Sequence, residues 1–159
     1  SEPRWLVLDG YEDEPAAFGV PPYVGFHVRY VCGVLESAGL DYDYLTVDRY
    51  RQTLKAEPES IAKRLKDCLG VVCIAGAVVP GKYLRGTPIS LKETQNLIRS
   101  LPHGTPALFG GWAIRGWKQQ GWTPLRPNLF LAVQDTDATL HHFLEQGEWK
   151  HQRLSLIHI

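Results

Sequence analysis

Methionine is missing from all 159 residues, position 1 included, so the sequence reads as a processed chain or a fragment. Cysteine is scarce: Cys32, Cys68 and Cys73 form neither an even set nor a CxxC pair, which excludes a disulfide framework and a paired-thiol motif. No apolar run approaches the roughly 18 residues of a membrane-spanning helix. No basic-then-apolar leader opens the sequence. Neither sign of charge is in surplus, with 17 Lys and Arg against 17 Asp and Glu. That balance argues against coating nucleic acid or an anionic membrane, since both call for a basic excess or patch. A soluble, cytoplasmic domain is expected, with no membrane partner and no direct nucleic-acid contact.

What is present fits one globular domain. Apolar residues make up 44% and charged residues 21%, near the globular norm. A chain of this length buries roughly 70% of its unfolded surface and needs no metal or disulfide to fold. The head Ser1–Arg4 and the tail Leu154–Ile159 resemble translated sequencing-adapter read-through and are set aside. The expected domain spans 5–147, and 148–159 is a tail that resembles non-native sequence.

Strand-length apolar runs alternate with segments of helical period. Trp5–Leu8 reads as a first buried strand. Val24, Val28, Val31 and Leu35 recur on one helical face, with Pro21-Pro22 in the first turn and Gly39 as a left-handed cap. Tyr42–Val47 reads as a second strand. Glu57-Pro58-Glu59 opens a helix with Ile61, Leu65, Cys68 and Leu69 on one face, stopped by Gly70. Val71–Ala75 is the third strand. Ser90-x-x-Glu93 is a capping box for a helix carrying Leu91, Thr94, Leu97, Ile98 and Leu101. Ala107–Phe109 with Gly110-Gly111 is a fourth strand and turn, Asn128–Val133 a fifth, and Leu140, Phe143 and Leu144 mark a last helix closed by Gly147. The stretch 112–127 has no clean period. Its Trp112, Trp117 and Trp122 suggest packing of a late helix or a docking face.

This pattern predicts an α/β fold: a doubly wound, mostly parallel five-stranded sheet in the flavodoxin-like, Rossmann-type order 2-1-3-4-5. That order puts a switch point between strands 1 and 3, and the two longest Gly/Pro-rich loops follow those two strands.

The first loop, Asp9 to Tyr23, carries Glu12, Asp13 and Glu14. These acids would repel a phosphate and favour a cation, hydroxyl or amine; a solvated surface loop is the alternative. The second, Gly76 to Pro88, matches GxxxxGK over Gly76–Lys82 but fails as a P-loop. Tyr83 stands where the magnesium-binding hydroxyl belongs, Pro80 removes an N–H, and the helix starts only near Ser90. Lys82, Tyr83 and Arg85 are ligand contacts or simple loop packing. His141-His142 with Glu145 has no third ligand and reads as solvated surface. The cysteines read as buried small hydrophobes. Strand 3 ends on Ala75-Gly76, without the acid of a response-regulator receiver. No GxGxxG follows strand 1.

Asp9-Gly-Tyr-x-Asp-Glu-Pro-Ala-x-x-Gly-Val-Pro-Pro-Tyr23 and Ala75-Gly-x-x-Val-Pro-Gly-Lys-Tyr-Leu-x-Gly-Thr-Pro-Ile-Ser90 resemble a family of radical SAM iron–sulfur enzymes. Its members carry an N-terminal cobalamin-binding-like domain, a radical SAM domain and a C-terminal helix-hairpin-helix. The resemblance covers about residues 5–135 and implies the N-terminal module alone. CxxxCxxC is absent, the cysteine spacings being 36 and 5, so S-adenosylmethionine and a 4Fe-4S cluster are expected only in a downstream radical SAM domain, the implied partner. The DxHxxG motif of many cobalamin domains is also missing. The resemblance implies cobalamin, or another small-molecule ligand, between Asp9, Gly10, Tyr11, Glu14, Pro21, Pro22 and Tyr23 on one wall and Gly76, Pro80, Gly81, Lys82 and Tyr83 on the other. Gly110 and Gly111 would allow close backbone approach. No catalytic or metal-ligating residue is expected, and the chain alone is predicted non-catalytic. The alternatives are a stand-alone small-molecule-binding flavodoxin-like domain and a non-binding interdomain docking module.

Overall fold

The computed structural model describes residues 3–10, 26–76, 88–122, 128–132 and 136–146. Chain order is β1 (Trp5–Asp9), α1 (Phe26–Ser37), β2 (Tyr42–Thr46), α2 (Val47–Ala56), α3 (Pro58–Asp67), β3 (Gly70–Ile74), α4 (Leu91–Ser100), β4 (Ala107–Gly110), α5 (Trp112–Gln119), β5 (Leu129–Leu131) and α6 (Thr136–Gln146). The strands form one five-stranded parallel sheet in the order β2-β1-β3-β4-β5. This is the doubly wound topology expected from the sequence.

Side chains alternate across each strand, so the sheet carries a core on each face. Trp5 and Val7 of β1 join Val72, Ile74 and Leu108 under α1 and α6, where Val28, Val31, Leu35 and Leu140 are buried. Leu6, Leu8, Leu45, Val71, Cys73 and Phe109 face the other way, against Tyr50, Ile61, Leu65, Leu97 and Ile114 of α2 to α5. The winding reverses at β1: α1 carries the chain outward to β2, and the α2–α3 pair carries it back past β1 to β3.

Several expected elements appear with small shifts. The capping box is formed: Ser90 Oγ accepts from Glu93 N–H at 3.1 Å, and Glu93 Oε1 accepts from Ser90 N–H at 3.1 Å. Gly39 takes φ +71° after α1, and Pro58 occupies the start of α3. Val24, Pro21, Pro22, Val133 and Gly147 lie outside the described residues.

Three readings need correction. Val47 does not end β2 but begins α2, a helix the alternating pattern concealed. Thr46 caps it, accepting from Arg49 N–H at 3.2 Å, and Val47 and Tyr50 are its buried residues. Leu69 does not share the α3 face, because the helix ends at Asp67; Leu69 packs under α1 instead. The stretch after Gly111 folds as α5. Its Trp117 packs edge-on against Trp122 at 5.8 Å, and Trp122 edge-on against Phe109 at 6.4 Å. Those two tryptophans therefore seal the core under β4.

Gly111 →Ala should destabilise the fold by about 3 kcal/mol, since a Cβ there meets a fixed carbonyl on a left-handed backbone. At φ +101° a Cβ on Gly111 would run into Ala75 O. Gly33→Ala, in open space within α1, should stabilise by about 0.5–1 kcal/mol. Urea unfolding of the two variants checks both signs.

Candidate functional site

β1 and β3 are hydrogen-bonded neighbours, in register Asp9↔Ile74, so the two long loops leave the sheet side by side. Backbone bonds knit their roots together. Gly10 N–H donates to Ile74 O at 2.7 Å, and Ile89 N–H, where the second loop returns, donates to Gly10 O at 2.9 Å. Ala75 N–H donates to Gly110 O at 2.7 Å, and Ala113 N–H donates to Ala75 O at 3.2 Å. These bonds bring Asp9, Gly10, Ala75, Gly76, Gly110 and Gly111 together as the floor of the candidate site. In open α/β sheets this position, beyond the carboxyl ends at the reversal of strand order, is where ligands bind.

The glycines of this floor are required by the chain's own packing. A Cβ on Gly10 would lie 2.5 Å from Ile74 O and 2.4 Å from Ile89 Cγ2. On Gly110 it would lie 2.1 Å from Thr136 Oγ1, and on Gly111 it would strike the Ala75 backbone. They let β1, β3, β4 and the start of α6 close up at one edge.

Asp9 is the one charged side chain among the described floor residues, and it is only 4% exposed. Tyr44 of the edge strand donates its hydroxyl to Asp9 Oδ2 at 2.6 Å. β1 and β2 place these residues on the same sheet face, Tyr44 opposite Val7 and two positions from Asp9, so the reach is short. Sequence reasoning missed Tyr44; its signal is the alternation Tyr42-x-Tyr44 on a strand beside Asp9.

A second device holds the exit of the second loop. Arg51 on α2 forks onto Glu93, with Nε–Oε2 and Nη2–Oε1 both 2.7 Å, and donates to Pro88 O at 3.2 Å. Asp48 stands 3.6 Å from its Nη1. The Arg51 hydrogen bonds, offset in part by burial, hold the Glu93 carboxyl below its ordinary value. Glu93 thus serves the capping box and the fork together. Arg51 was missed with α2 itself.

Of the expected site residues, Asp9, Gly10, Gly76, Gly110 and Gly111 come together at this edge. Tyr11, Glu14, Pro21, Pro22, Tyr23, Pro80, Gly81, Lys82 and Tyr83 lie outside the described residues, and so does Arg85. Cys68 and Cys73 are buried, Cys32 partly so. Burial, with the nearby Asp9 and Glu93 charges, pushes the Cys73 thiol up to about 12, so it stays protonated. His141 Nε2 stands 3.6 Å from Glu145 Oε1 on the exposed face of α6. Among the described residues no cluster of His, Cys, Asp and Glu could hold a metal ion, and no helix is long and apolar enough to cross a membrane.

The described floor residues supply one hydrogen-bonded carboxylate and glycine faces already filled by protein atoms. That set does not by itself fit a corrinoid.

Tyr44→Phe should cost about 1–2 kcal/mol by depriving a buried carboxylate of a donor. The Glu93 contribution has a defined pH sign. With its folded value depressed, it is fully present above the ordinary value of 4.5 and fades as pH falls through the lower folded value. Arg51→Gln should remove about 1 kcal/mol at neutral pH, a figure reduced for solvent access to both side chains. It should also flatten the acid limb of stability against pH, measured by urea unfolding.

No family model matches the chain, and no solved structure matches it. An uncharacterized protein of Methanocaldococcus jannaschii is 40% identical over 150 residues, covering 91% of this chain and 26% of the relative. An uncharacterized protein of Archaeoglobus fulgidus is 47% identical over 87 residues, covering 55% of this chain and 16% of the relative. The chain spans about a quarter or less of the length of these curated relatives.

Proposed function

We propose that this chain is a small-molecule-binding module of flavodoxin-like architecture whose ligand lies over the β1–β3 reversal point. The observation that carries the reading is the bond from Ile89 N–H to Gly10 O. It ties the return of the second loop to the start of the first, so a ligand over Gly10 meets both. The buried Asp9 carboxylate, presented by Tyr44, gives that floor a polar anchor for a hydroxyl or amine. Asp9, Gly10, Tyr11, Glu14, Pro21, Pro22 and Tyr23 are proposed for one wall; Gly76, Pro80, Gly81, Lys82 and Tyr83 for the other. Gly110 and Gly111 complete the floor.

A second reading is favoured by the span of the relatives, of which the chain matches only 26% and 16%. In it, the module is the N-terminal cobalamin-binding-like part of a radical SAM enzyme. The cofactor would then be cobalamin, with S-adenosylmethionine and the iron–sulfur cluster held by a downstream domain. Finding a CxxxCxxC motif in the unmatched portion of the M. jannaschii relative would support that version, and finding none would remove it.

Titration with hydroxocobalamin, and separately with FMN, tests the binding function by calorimetry and absorbance. Saturable one-to-one binding in either arm, weakened about tenfold or more by Asp9→Asn or Lys82→Gln, is the expected result. Hydroxocobalamin binding selects the corrinoid version. No binding in either arm contradicts the module's ligand role and leaves interdomain docking.

A further inference from the structure

Overall neutrality conceals a segregation of charge. Away from the reversal point, at the start of β1, lies a cavity of about 640 Å³ between Arg4, Asp43 and the C-terminal half of α3. Lys63, Arg64 and Lys66 line it. Beside the edge strand β2 lies a second cavity, of about 470 Å³, lined by Arg49, Thr53, Ser60 and again Arg64. Arg64 lines both cavities, and the two together form a trough about that side chain.

The charges along this trough do not cancel. Arg4 already holds Asp43, Nε to Oδ1 at 2.9 Å, which removes that acid from the balance. Setting aside the Arg4–Asp43 pair, Arg49, Lys63, Arg64 and Lys66 form no ion pair among the described residues, and Asp67 is the other carboxylate of the lining. Lys and Arg near a helix C-terminus normally serve its dipole, and this accounts for Lys66. Arg49 shares the first turn of α2 with Asp48, but Asp48 stands against Arg51 at 3.6 Å, and Arg49 lines the second cavity, where Thr53 and Ser60 add hydroxyl donors. Guanidinium forks and hydroxyls at successive points of one groove suit the oxygens of linked phosphates. Each cavity has the size of a small-ligand site.

We infer that this trough is a second binding site, distinct from the β1–β3 crevice, for a ligand bearing two or more phosphate groups. Arg49 and Arg64 are its principal contacts. The phosphates belong to a nucleotide-type small molecule or to the backbone of a single-stranded nucleic acid; the recognition chemistry is shared. The inference stands independently of the ligand role proposed for the crevice.

Calorimetric titration of the full chain at low salt tests it, with sodium tripolyphosphate in one arm and single-stranded RNA of about 12 nucleotides in the other. Saturable binding is expected, weakened about tenfold or more in Arg49→Gln/Arg64→Gln. Lys92→Gln, an exposed change on α4, should leave it unaltered. In the RNA arm the double variant should lower the slope of log affinity against log salt by about two. Tripolyphosphate binding as tightly as RNA assigns a small ligand; tighter, length-dependent RNA binding assigns the nucleic-acid backbone. No saturable binding in either arm, or an equal loss in Lys92→Gln, overturns the inference. Both arginines are exposed, and an unchanged urea midpoint shows that the double variant is folded.

Discussion

The pairing of β1 with β3 is the constraint on which the rest depends. Once β2 lies on one side of β1 and β3 on the other, α1 must cross one face of the sheet and the α2–α3 pair the opposite face. Two cores follow, one on each face, as does a split between the helices leaving β1 and β3. The glycines at 10, 110 and 111 allow the strands to finish flush, because a side chain would strike Ile74 O at position 10, the Thr136 side chain at 110 and the Ala75 backbone at 111. This tight edge is the floor of the crevice. The pairing that closes the fold also sets the floor of the candidate site.

The Arg51–Glu93 fork extends the constraint outward. Glu93 belongs to the first turn of α4, and Arg51 to a helix on the β2 side of the sheet, so the fork links the two directions of winding across the β1–β3 boundary. Its bond to Pro88 O fixes the point where the second loop re-enters the structure. A crevice with an anchored floor and an anchored exit can leave recognition to the intervening loop residues.

Strand positions were legible because each is a short β-rich run, and β1, β3 and β4 end next to Gly or Ala-Gly. The order was legible because right-handed crossovers leave few choices for such a run of elements. Ser90-x-x-Glu93 was readable as a cap, since both partners lie within one turn. What stayed hidden depends on contacts distant in sequence. α2 follows β2 without a loop, so its first residue, Val47, continues the strand's alternation while Thr46 caps the helix from inside the strand. Tyr44 becomes an Asp9 ligand only through strand pairing. Arg51 acquires its role from a carboxylate on another helix. The placing of Gly10, Gly110 and Gly111 at the strand ends was legible, whereas the packing that requires them, against Ile74, Ala75 and Thr136, was not. Net charge misled in one respect: equal totals say nothing of how Arg49, Lys63, Arg64 and Lys66 are grouped.

Backbone amide shifts during ligand titration test most directly whether both loops serve one crevice. With hydroxocobalamin or FMN as the probe, Gly10, Gly76 and Gly111 should shift together along a single binding curve. Shifts confined to one loop root, or to the trough beside β2 with the crevice amides unmoved, would contradict the account.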